Sequence, residues 1–378
     1  MTPSDLSRRC AVAALAAGGL AVASLTILIT TSALSVATPS ASAATSLWQT
    51  VSTGPATSTA PAPSAGTASA WLPYWDQARG YQAFLANASL FRELDPFWYE
   101  LSAQGTLATY PGVGDPAIVN GAHEVGVLVI PTISNAFDAQ RVHTLLATAA
   151  SRAAHEQALV ALAVAHRYDG IDVDYESLLA SDRSALTAFV AELAGRLHAV
   201  GKQLEVTVHA KTSEPGSWTG PQAQNYAAIG AAADRVQVMA YDYSYNGGPA
   251  GPIAPLPWVN AVAAFAASQI NPAKVELGMP LYAYDWVGTH ATSLTFEQVK
   301  ALLASTGSTA RWSATDGAKT FSYRAAGVAH TVWFSDAASI GAALPVVAKH
   351  HLAGVALWAL TGPDPALWAQ LGHPVTRG

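Results

Sequence analysis

From Ala68 onward, short apolar runs alternate with longer stretches in which apolar residues recur every three to four positions. That alternation is the pattern of repeated strand and helix units built around a parallel sheet. It predicts strands near Trp71–Trp75, Leu94–Tyr99, Val125–Thr132, Tyr168–Glu176, Gln203–Lys211, Val236–Tyr243, Val275–Leu281 and Val355–Leu360. The helix after the fourth run is the clearest. Leu186, Phe189, Val190, Leu193 and Leu197 share a helical face, Ser181 suits the N-cap and Gly201 a stop. The interval before the last run is too long for one strand–helix unit. Within about Ser293–His350 the pattern predicts a helix (Phe296–Leu303) and a hairpin (Lys319–Tyr323 with His330–Phe334), a small α+β insertion between the seventh and eighth strands.

The fourth run, Asp169-Gly170-Ile171-Asp172-Val173-Asp174-Tyr175-Glu176, carries acidic residues where the others are apolar. Successive side chains of a strand point to opposite faces, so Asp172, Asp174 and Glu176 share one face while Ile171, Val173 and Tyr175 share the other. An acidic row backed by an apolar row needs a polar cavity. The mouth of an α/β (β/α)₈ TIM barrel supplies one, because strand interiors face its centre and catalytic groups sit at the C-terminal strand ends. Glu176 ends the row and lies nearest that mouth. A calcium loop would want Gly and Glu at its sixth and twelfth positions, where Asp174 and Ala180 stand.

With 51% hydrophobic residues, the 378-residue chain is rich enough in apolar side chains for a well-packed body, and its net charge of −6 gives no support for nucleic-acid binding. Cys10, the single cysteine, lies in the N-terminal apolar stretch, so the domain must be stable without disulfides. Residues 1–43 read as a signal peptide or membrane anchor: Arg8 and Arg9, an apolar stretch from Cys10 to about Val36, then Ala41-Ser42-Ala43 as a small-x-small cleavage site. Either version puts the rest outside the cytoplasm, secreted or held at the membrane or cell wall. Residues 44–68, dominated by Ala, Thr, Ser and Pro, cannot bury a core and read as a linker. The barrel then occupies 69–378. No Gly-rich phosphate loop or zinc spacing occurs, so no cofactor and no metal are expected.

Asp169–Glu176 resembles the fourth-strand Asp-Gly-x-Asp-x-Asp-x-Glu of family 18 glycoside hydrolases at every fixed position. Gln237-Val238-Met239-Ala240-Tyr241-Asp242 is similar to the family's sixth-strand motif, and Trp358 in Gly354–Trp358 to its eighth-strand tryptophan. The segments Asp242–Pro252 and Leu277–Trp286 resemble the bacterial spore-cortex and cell-wall branch, which cleaves at N-acetylglucosamine in peptidoglycan.

The resemblance implies a retaining mechanism in which the 2-acetamido oxygen of the sugar attacks the anomeric carbon and forms an oxazolinium ion. Glu176 would protonate the leaving oxygen and later deprotonate water. Asp174, roughly 6.5–7 Å away along the strand, would raise the Glu176 pKa by like charge and orient the acetamide N–H. Asp172 would share a proton with Asp174, and Tyr241 would donate to the acetamido oxygen. Trp358, Met239, Asp242 and Gln237 would line the sugar site. Tyr282 and Trp98 join them as strand-end aromatics, with His209 and Lys211 as further candidates. Asp169, out of phase with the row, is expected to shape the start of the strand. The implied partner is an amino-sugar polysaccharide, peptidoglycan or chitin, acted on by a monomer. A chitinase and a non-catalytic lectin are the alternatives.

Overall fold

The structure, a computed structural model, describes residues 66–372. The predicted signal or anchor (1–43), Cys10 and the linker up to residue 65 lie outside the described residues. Among the described residues no helix is long and apolar enough to cross a membrane.

In chain order the strands are β1 (Ala68–Pro73), β2 (Phe91–Leu101), β3 (Leu107–Thr109), β4 (Leu128–Val129), β5 (Thr132–Ser134), β6 (Gly170–Asp174), β7 (Gln203–His209), β8 (Arg235–Met239) and β9 (Val275–Pro280). The chain then leaves for β10 (Ala283–Val287), β11 (His290–Leu294), β12 (Arg311–Ser313), β13 (Ala318–Ala325) and β14 (Val328–Phe334), and returns for β15 (Gly354–Trp358). β1 pairs in parallel with both β2 and β15, so the sheet closes into an eight-stranded barrel. Its third strand is split into β4 and β5 around Pro131, which lacks an N–H for the ladder. All eight predicted strands are present. Helices cover the outside, as in the helix Ala149–Ala165, started by a Thr148–Ser151 capping box.

Several strand ends differ from expectation by a few residues, β6 stopping at Asp174 and β8 at Met239, and two further boundaries differ more substantially. The helix predicted to be capped by Ser181 begins at Arg183, after a 3₁₀ turn over Ala180–Asp182; Asp182 holds the cap position but turns its carboxylate to His143 Nδ1 at 2.7 Å. The second sheet, β11-β10-β14-β13-β12, runs from Ala283 to Phe334, so it begins before Ser293. The reason is that Leu281–Tyr284 continues the apolar run of β9 with no turn residue between them, although β10 pairs only inside the new antiparallel sheet. The helix Ala337–Lys349, capped by Asp336 on the N–H groups of Ala338 and Ser339, precedes β15 as a barrel helix.

Branched apolar side chains usually fill such a barrel. Here the interior holds buried carboxyl groups from Glu93, Asp95, Asp172, Glu205 and Glu276. Arg92 pairs with Glu93 and Glu276, and Ser69 Oγ donates to Glu276 at 2.6 Å. Gln237 Nε2 donates to Asp95 (3.0 Å) and Glu205 (3.2 Å). Burial, reinforced by neighbouring carboxylates, pushes the pKa values of Asp95 and Glu205 well up. These groups are therefore favoured as neutral acids, which lowers the cost of burying them.

Candidate active site

The acidic row comes from β6 and the two residues after it. Gly170 is required by packing, since a Cβ there would sit 2.5 Å from the Gln203 carbonyl oxygen on β7. Asp169 accepts the Val129 N–H at 2.8 Å and contacts His123, and so fixes where β6 starts. Asp172 is fully buried and receives the hydroxyls of Thr132 (2.8 Å) and Thr207 (3.0 Å). Burial raises its pKa to about 6, against the pull of those donors. Asp174 is 5% exposed and its Oδ1 has no hydrogen-bond partner in the protein. Burial, then Glu176 and Asp172, push its pKa well above the carboxylate range.

Glu176 lies beyond the strand, and its peptide group is fixed by one side chain: Asn135 Oδ1 accepts the Glu176 N–H (2.9 Å) and Asn135 Nδ2 donates to its carbonyl (2.8 Å). Ser177 follows at φ +53°, and its N–H donates to His209 Nε2 at 3.2 Å. Burial, then Asp242, raise the Glu176 pKa to about 8. Asp242 joins Asp174 as a like charge near Glu176, and the repulsion between Asp174 and Glu176 raises Asp174 as well.

Across the mouth, Tyr241 and Asp242 follow β8. Asp242 is left-handed (φ +56°) and accepts the Tyr282 hydroxyl at 2.5 Å, while the Tyr241 and Tyr282 rings meet edge to face at 6.4 Å. A non-glycine residue in this conformation costs on the order of 1–3 kcal/mol. Ser177 and Asp242 therefore store strain directly after Glu176 and Tyr241. Met239, the last residue of β8, is 9% exposed. Trp358 meets Trp71 at 5.5 Å and Phe97 at 5.6 Å edge on, leaving its indole partly open beside Trp75.

Gly278 on β9 leaves room for the β8 backbone and for the Tyr241 ring. An added Cβ would approach the Val238 carbonyl oxygen to 2.6 Å and Tyr241 Cε1 to 3.0 Å. Gly278→Ala is therefore expected to lower kcat/KM by about 10²-fold through displacement of the ring, with circular dichroism unchanged. Wild-type kinetics in the variant would show that the Tyr241 position is not critical.

Two expected sugar contacts are not in the mouth. Gln237 faces inward in phase with Met239 and Tyr241 but one layer deeper, fully buried among Asp95, Glu205, Ser69 and Thr207. Trp98 is fully buried on the helix side, with its Nε1–H donating to Gln77 at 2.6 Å and its ring against Tyr168. Phe97, in phase along β2 with the buried Glu93 and Asp95, faces inward instead. Lys211 is tied to Glu214 at 3.0 Å and lies over the Tyr226 ring. Thr132, Asn135 and Thr207 went unnoticed in the sequence, because a hydroxyl or carboxamide at a strand end carries no motif of its own.

Known proteins share this fold. Residues 119–362 match glycosyl hydrolases family 18, well over half of the chain. The chain is 29% identical over 299 residues to the putative sporulation-specific glycosylase YdhD of Bacillus subtilis, covering 76% of this chain and 69% of that one. Among solved structures, a chitinase from Chromobacterium violaceum superposes with a TM-score of 0.76 at 27% identity, covering 81% of this chain and 98% of that one. The Bacillus cereus spore cortex-lytic enzyme SleL does so at 0.73 and 26%, covering 80% and 73%. With the acidic row at the barrel mouth and this match across the barrel, the chain belongs to family 18 of the glycosyl hydrolases and is a glycoside hydrolase related to cortex-lytic enzymes and chitinases.

Proposed function

We propose that the protein cleaves β-1,4 bonds at N-acetylglucosamine in peptidoglycan, outside the cytoplasm, by a retaining substrate-assisted mechanism. The observation that carries the chemistry is the pairing of Glu176, whose pKa lies at about 8, with Asp174, whose buried Oδ1 has no protein partner. Glu176 is protonated at neutral pH and acts as the general acid on the leaving oxygen. Asp174 Oδ1 accepts the acetamide N–H, and the Tyr241 hydroxyl holds the acetamide oxygen under the anomeric carbon. As the oxygen–carbon bond forms and the glycosidic bond breaks, the Glu176 proton passes to the departing sugar. Glu176 then takes a proton from the water that opens the oxazolinium ion. Trp358 covers the apolar face of the pyranose and keeps water from the cationic centre.

The wall substrate is supported by the likeness to YdhD and SleL and by the export signal read in residues 1–43. A second reading, a chitinase, is favoured by the superposition on the Chromobacterium chitinase. Mass spectrometry of products from purified peptidoglycan and from chitin oligomers separates them, with Glu176→Gln as control. Muropeptides ending in reducing N-acetylglucosamine are the expected result. Chitin products alone would replace the wall reading, and binding without turnover on either would leave a lectin.

A further inference from the structure

His209 ends β7 with its imidazole between the backbone after Glu176 and the Glu176 carboxylate. The Ser177 N–H can only donate, so the Nε2 it approaches at 3.2 Å must offer a lone pair. A neutral ring then carries its proton on Nδ1. That atom faces Glu176 Oε2 at 3.7 Å. Burial, helped by Lys211, pushes the His209 pKa down to about 3, so the ring stays neutral wherever the protein is folded and active.

The ring is held firmly for this purpose. Its backbone N–H donates to Gln224 Oε1 at 2.8 Å, its carbonyl accepts the Tyr226 hydroxyl, and Trp218 packs on it at 4.6 Å. Gln224 Nε2 reaches back to the Tyr175 carbonyl at 3.4 Å, tying the end of β7 to the segment that carries Glu176.

We propose that His209 is a positioning residue for Glu176, a neutral Nδ1–H donor that engages the carboxylate once it has released its proton and holds it oriented for the water step. The proposal rests on the general acid–base reading of Glu176. At 3.7 Å the contact is too long for a hydrogen bond, as suits a protonated acid. A carboxylate has reason to close that gap, because a charged acceptor makes the shorter and stronger bond. A cationic histidine here would instead strip the acid of its proton at rest. The other titratable groups that bear on Glu176 are Asp174 from its own segment and Asp242 after β8, while Lys211 bears on His209.

Two substitutions separate the two ring nitrogens. His209→Asn keeps a donor near the Nδ1 position and loses the contact to Ser177; His209→Gln keeps an acceptor near Nε2 and loses the donor to Glu176. Rates are measured on an unactivated chitin oligomer or on peptidoglycan, whichever the wild type turns over, across pH 4–10. The expected result is that Gln lowers kcat about tenfold and moves the alkaline limb of kcat/KM up by about one pH unit, as loss of a hydrogen bond to a charged group predicts. Asn should leave that limb in place. Equal losses in both variants with the limb unmoved would make His209 only a clamp on Ser177 and overturn the proposal, as would unchanged rates in both. Glu176→Gln in the same assay distinguishes the two levels. If it retains turnover, the acid reading itself fails; if it is dead while the His209 variants behave alike, only the His209 inference fails.

Discussion

Glu176→Gln is expected to cut glycan turnover by about 10²–10⁴-fold, the usual contribution of a positioned general acid–base, while KM stays near wild type and the thermal unfolding midpoint does not fall, since glutamine escapes the cost of ionising a carboxyl whose folded pKa is raised. Glutamine matches the carboxyl in shape, and the contacts that fix residue 176 are made by its backbone to Asn135. The substitution therefore removes a proton without releasing the segment. The same proton sets the pH dependence. With the pKa at about 8, the acid is charged with its proton below that value and empty above it, so wild-type turnover should fall as pH rises through about 8. Residual activity of the variant should lack that alkaline limb. Turnover within tenfold of wild type, measured by product mass, would remove Glu176 from the reaction.

The acidic row could be read ahead of any structure because alternation is a property of the strand backbone. Its three carboxylates, and the apolar residues between them, can be satisfied only by a wall that is wet on one side and buried on the other. Gly170 and Gly278 were equally visible as letters, but not the clash each one avoids, which depends on a neighbouring strand far away in sequence. Trp98 shows that phase, not residue type, places a strand-end aromatic. Alternation from Glu93 and Asp95 sets Phe97 inward beside Trp358 and turns the tryptophan to the helix side. Gln237 shows a second limit: period two assigns the correct face but says nothing of depth, and depth decides whether a side chain meets sugar or the carboxyl layer below. β10 was hidden because an apolar run does not announce which sheet it joins. His209 drew little weight in the sequence, since a lone histidine at a strand end gains meaning only from the Ser177 amide that fixes its tautomer.

The interior of this barrel places reactivity and stability in opposition, and Asp174→Asn should expose that. Activity is expected to fall by about 10²–10³-fold, the usual loss when one preorganised electrostatic partner of a developing charge is removed. Stability should move the other way, and only at high pH. The folded pKa of Asp174 lies well above its unfolded value because burial and the Glu176 and Asp172 carboxyls disfavour its charge. A group of this kind contributes stability that is complete below the unfolded value of about 3.9. That contribution is lost as pH rises toward and through the raised folded value. Asparagine does not titrate, so the variant escapes the loss. Thermal unfolding at pH 5 and pH 8 should show the difference between variant and wild-type midpoints shifting in favour of the variant as pH rises. A shift in favour of wild type would mean that the fold stabilises the Asp174 charge, which its unpartnered Oδ1 argues against. On the proposed mechanism the fold carries Asp174 at a cost because the buried, unmatched acceptor that weakens the empty protein is the group that an N-acetyl substituent would complete.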